Sequence, residues 1–90
     1  METCAHIVVK GLVQGVGFRY YVHRHATGLG LTGFTKNLYD GSVEIEVEGE
    51  RSIVEELIRL VKVGPRSAQV TGLNLEWKDP EHRFQYFEIR

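Results

Sequence analysis

The chain has 90 residues, 42% hydrophobic and 26% charged, with a formal charge of −1 and a single cysteine. That length suits one domain; the composition excludes a disordered chain, the charges leave no window of about 18 apolar residues for a membrane span, and one thiol excludes a disulfide-stapled mini-domain or a cysteine-ligated iron–sulfur protein. Met1–His6 carries no basic region leading into an apolar one, and near-neutral charge removes the basic field of a broad nucleic-acid binder, so a cytoplasmic protein with neither nucleic-acid nor membrane partners is expected.

Cys4–Lys10 is rich in β-branched residues and ends at Gly11, the pattern of a buried strand. Phe18, Val22, Ala26 and Leu29 then recur at helical spacing and stop at Gly28 and Gly30. Leu31–Leu38 and Ser42–Glu48 read as strands joined by Tyr39-Asp40-Gly41, a strong hairpin signal. Within the second of these, Val43, Ile45 and Val47 face one way and Glu44, Glu46 and Glu48 the other, which predicts one wet face. Ser52-Ile53-Val54-Glu55 has capping-box spacing and predicts a helix whose apolar face is Ile53, Val54, Leu57, Ile58, Leu60 and Val61, ended by Gly64-Pro65. Two strand-like runs remain, Ala68–Trp77 and Arg83–Ile89, and Gly72 suggests a bulge in the first.

This order, β-α-β-β-α-β with an extra C-terminal strand, predicts a single α+β domain over residues 1–90: a ferredoxin-like split βαβ sandwich with two helices on one face of an antiparallel sheet. A right-handed crossover makes the first and second strands parallel. The loop after Lys10 and the strand end near Asn37 should therefore emerge at the same sheet edge. Residues 1–40 hold four Lys/Arg against two acids, so an anion site is expected in that half.

Gly11-Leu12-Val13-Gln14-Gly15-Val16-Gly17-Phe18-Arg19 joins the first strand to a helix N-terminus. Glycines two apart permit a concave run of main-chain amides, and the helix directs further N–H groups and its positive dipole end at the same point. The loop lacks the Gly-Lys-Ser/Thr of a Walker motif and the third glycine of a dinucleotide fingerprint. Arg19, in the first helical turn, is opposed by the dipole by about 0.3–1 kcal/mol, which calls for something anionic beside it; its planar guanidinium can hold two oxygens of a phosphoryl group. A tight turn and a solvated arginine would each account for one feature taken alone.

The stretch Gly11–Arg19 resembles the first signature of the acylphosphatase family, and Gly33-Phe34-Thr35-Lys36-Asn37, followed by Gly41-Ser42-Val43 and Gly49, is similar to its second. The resemblance spans the whole chain. Its one departure is Thr35, where a small apolar residue or valine is more usual. The resemblance implies hydrolysis of acyl phosphates to carboxylate and inorganic phosphate by a monomer without metal, cofactor or covalent intermediate. It assigns phosphate binding to Arg19 with the amides of Gln14, Gly15, Val16, Gly17 and Phe18, and water positioning to Asn37. Ser42 is a candidate to orient Asn37, although a turn hydroxyl satisfying its own backbone is the simpler reading. Inorganic phosphate would then be product and inhibitor.

Two other readings compete: a non-catalytic anion-binding module, disfavoured by the pairing of Arg19 with Asn37, and a piece of a larger carbamoyl-transfer factor, disfavoured by the chain's ends and the lack of a Cys-rich zinc segment. His23 and His25 lie two apart on a helix and point away from each other, so no metal site is expected. Tyr20, Tyr21, Phe84, Tyr86 and Phe87 are assigned to core packing rather than RNA stacking, because the acidic strand Ser42–Glu48 would repel RNA. Cys4 is expected to be a small buried residue.

Overall fold

The computed structural model describes residues 1–90. Five strands and two helices follow in the order β1 (Glu2–Leu12), α1 (Phe18–Gly28), β2 (Thr32–Asn37), β3 (Val43–Glu50), α2 (Arg51–Val63), β4 (Gln69–Lys78) and β5 (Phe87–Ile89). They form one sheet in the order β4-β1-β3-β2-β5. β1 and β2 each pair antiparallel with β3, so they run parallel to each other, as the crossover rule requires. The β2–β5 pair is itself parallel, which makes the sheet mixed rather than wholly antiparallel.

Alternation along the strands sets the core. Ala5, Ile7 and Val9 of β1 stand opposite Val47, Ile45 and Val43 of β3, and all six are fully buried. Val22 and Ala26 of α1 and Val54, Leu57 and Val61 of α2 close this face. A register shift between Lys10 and Gly11 leaves Thr71 of β4 without a partner, a bulge beside Gly72.

Four expectations are corrected. The helix after β3 begins at Arg51 with Glu50 as its N-cap and no side-chain cap, because β3 stays paired to β1 through Glu50 and turns into helix at the next residue. Ser52 then lies inside the first turn, where no capping box forms. The Glu44/Glu46/Glu48 face is not uniformly wet: Glu46 and Glu48 are 5% and 4% exposed. The segment after β4 folds over them, Glu48 accepting from the amides of Glu81 (2.9 Å) and His82 (3.0 Å), and Glu46 pairing with Lys78 and Arg83. That crossing segment also shortens the last strand to Phe87–Ile89. Finally, Phe87 is buried, Tyr21 and Phe84 are partly so, but Tyr20 and Tyr86 are exposed and belong to no core.

Candidate active site

Because β1 and β2 are parallel, and β5 parallel to β2, their C-terminal ends share one edge of the sheet, where α1 begins. The loop between β1 and α1 fills that edge. Gly15 and Gly17 sit at φ 74° and 78°, a left-handed conformation costly for residues with a Cβ. Gly17 is the N-cap of α1, so the loop reverses directly into the helix. No main-chain hydrogen bond outside the helices and strands uses an N–H of residues 14–18, which leaves these donors free for a ligand.

Gln14 anchors the loop to its neighbour. Its Nε2 donates to the carbonyls of Leu38 (2.7 Å) and Ser42 (2.9 Å), one on either side of the β2–β3 turn. The turn has its own brace: Asp40 Oδ1 accepts from the Ser42 amide (3.0 Å) and hydroxyl (2.5 Å), while Lys10 Nζ approaches Oδ2 at 3.2 Å. The Ser42 hydroxyl thus serves the turn, and its carbonyl serves Gln14. Sequence reading missed the Gln14 clamp, since it identified only that residue's amide as functional.

Arg19, half-buried in the first turn of α1 and with no acid in that turn, donates from Nη1 to the main-chain oxygen of Arg90 just beyond β5 (2.9 Å). This contact occupies one guanidinium nitrogen and leaves other N–H groups of the fork available to a ligand. Asn37 ends β2, exposed, opposite Val43. Arg19 and Asn37 line one cleft together with Gly15 and Gly17, and Val13, Phe18, Tyr20 and Ile89 complete its wall. The residues that the family resemblance and the crossover topology associate in the sequence are therefore neighbours in space.

The cleft measures about 190 Å³, below the roughly 300–1,000 Å³ of sites for drug-sized ligands, so it suits a small anion whose substituent extends along the rim. A larger hollow, about 450 Å³ beside Met1, Arg51 and Trp77, is less suited to an anion. Its Arg51 guanidinium stacks on Trp77 at 3.7 Å and also pairs with Glu55.

The acylphosphatase family profile matches residues 5–89. The chain belongs to the acylphosphatase family. It is 43% identical to an acylphosphatase of Caldanaerobacter subterraneus subsp. tengcongensis, over 99% of both chains. The crystal structure of acylphosphatase from Bacillus subtilis superposes with a TM-score of 0.94 at 36% identity, covering 100% of this chain and 99% of that one. Full-length HypF, solved in a phosphate- and nucleotide-bound form, is also similar, with a TM-score of 0.87 at 28% identity; the match covers 100% of this chain but 12% of that one. Thr35 is a fully buried strand residue whose hydroxyl has no hydrogen-bond partner.

Proposed function

We propose that this acylphosphatase-family chain hydrolyses acyl phosphates by in-line attack of a water positioned by Asn37. The phosphoryl group is held by Arg19 and the amides of Gln14, Gly15, Val16, Gly17 and Phe18. The observation carrying this reading is the convergence of one guanidinium, one carboxamide and the two loop glycines in a single small cleft.

The chemistry asks little more. A carboxylate leaves with a conjugate acid of pKa about 4, so no general acid need protonate it. Asn37 can donate to and accept from a water but cannot take its proton, which leaves a phosphoryl oxygen of the substrate as the acceptor. Arg19 and the loop amides align the phosphoryl group and offset its charge, the main demands of phosphoryl transfer. No step in this scheme is assigned to a metal or cofactor.

The test is steady-state turnover of a synthetic acyl phosphate beside a phosphate monoester, with EDTA present and inorganic phosphate as competitor. Selective, chelator-resistant, phosphate-inhibited hydrolysis is expected; phosphate binding without turnover would leave only an anion-binding module. Arg19→Ala and Arg19→Lys should both nearly abolish turnover and weaken phosphate inhibition, since lysine lacks the planar fork. Asn37→Ala should lower kcat by about 10²–10³, the scale for removing one fixed polar group, with phosphate affinity retained. Loss of phosphate affinity in that variant would contradict its role.

A further inference from the structure

The cleft's lining is of two chemical kinds. Arg19, Asn37 and the glycine loop supply polar groups, and the side chains of Val13, Phe18, Tyr20 and Ile89 supply apolar surface. Val13 and Phe18 are fully buried core residues, but Tyr20 is 69% and Ile89 41% exposed. They reach the rim from different elements, the first turn of α1 and the end of β5. Neither residue belongs to the core cluster, so their apolar surface stays available beside the anion-binding groups.

We propose that Tyr20 and Ile89 form the wall that receives the acyl half of the substrate, and that they select flat or branched apolar acyl groups over small polar ones. This deepens the acyl-phosphate reading above and rests on it. An acyl phosphate joins a dianionic head to a carbon substituent through one oxygen. Once the head is fixed by Arg19 and the loop, that substituent has to lie within a few ångströms, along the rim. A ring or branched chain there would cover the tyrosine ring and the isoleucine side chain and release their water. A carbamoyl group is too small to cover both side chains and would give up part of its own hydration to approach them.

The test compares kcat/KM for benzoyl phosphate and carbamoyl phosphate in the unaltered chain, Tyr20→Ala, Ile89→Ala and the double variant, with inhibition by inorganic phosphate followed in parallel. The benzoyl-to-carbamoyl ratio should exceed 1 in the unaltered chain. It should fall about 10-fold in the double variant, at the low end of what apolar pocket contacts discriminate, while the phosphate inhibition constant stays put. Phenylphosphonate against methylphosphonate as competitive inhibitors gives the same comparison without turnover and should show the same loss of aromatic preference. An unchanged ratio in the double variant, or a phosphate constant that shifts with it, overturns the acyl wall alone. Failure of the unaltered chain to turn over either acyl phosphate overturns the hydrolase reading beneath it.

Discussion

The Asp40 carboxylate accepts from the Ser42 hydroxyl, the Ser42 amide and Lys10, and these donors, the hydroxyl foremost, hold its pKa down to about 2 from an ordinary 3.8. A depressed carboxylate stabilises the fold fully above its unfolded pKa, and that contribution disappears as pH falls through the folded value. The β2–β3 turn should thus keep its brace down to about pH 4 and lose it towards pH 2. Following the Asp40 carboxyl carbon by NMR titration checks this; a midpoint near 4 would show that the brace does not persist in solution. The same physics acts with opposite sign on Cys4. Burial first, then the charges of Glu46 and Glu48, push its thiol up to about 11 from 9.0. Ionisation in the unfolded chain alone then erodes stability as pH rises from about 9 towards 11.

Among the elements, the coupling of loop to hairpin depends on the Gln14 carboxamide, the one side chain that bonds both sides of the β2–β3 turn. Gln14→Met keeps the length and removes both donors, while the Leu38 carbonyl keeps the Gly41 amide and the Ser42 carbonyl the Leu38 amide, so two hydrogen bonds are lost without orphaning either oxygen. A loss of about 1–3 kcal/mol is expected in denaturant unfolding, with faster amide exchange confined to residues 38–42; uniform acceleration along the chain would argue against a local clamp. This contact was not legible in the sequence, because it joins positions far apart in the chain whose types carry no spacing signal. What was legible followed from periodicity and punctuation. The Val43/Ile45/Val47 alternation, the stripe of α1 and the Asp40-Gly41 turn each specify local geometry from neighbouring residues, and the crossover rule then brought Arg19 to the same edge as Asn37. The burial of Glu46 and Glu48 escaped for the converse reason. Alternation tells which residues share a face, but the cover over that face comes from Lys78, Arg83 and the amides of residues 81 and 82, more than 30 positions downstream. The misplaced cap of α2 has the same origin, since pairing of Glu50 with Glu2 of β1 moved the helix start.

Across the whole molecule, β1 lies inside the sheet between β4 and β3, and Cys4 is flanked on those two strands by Lys78 and Glu48. Its side chain is 1% exposed. Cys4 alternates with the core residues Ala5 and Ile7 and so shares the face of Glu46 and Glu48, beneath the segment that follows β4; reaching the sulfur means lifting that cover, not parting the strands. Modification by a neutral thiol reagent at pH 8 should therefore be slow in the native state and accelerate at denaturant concentrations below the global unfolding transition. Rapid stoichiometric labelling without denaturant would show that the cover does not persist in solution.

The slender attachment of β5 has a thermal corollary. Only three of its residues pair with β2, assisted by the Gly33 amide reaching Tyr86 and the Arg90 amide reaching Thr35, yet the main-chain oxygen on which Arg19 rests lies just past it. Warming ought to peel this margin away first, releasing the guanidinium to swing into bulk water while the four longer strands remain assembled. Phosphate inhibition would then weaken several degrees below the temperature at which far-ultraviolet ellipticity collapses, and coincidence of the two transitions would mean that the margin melts with everything else.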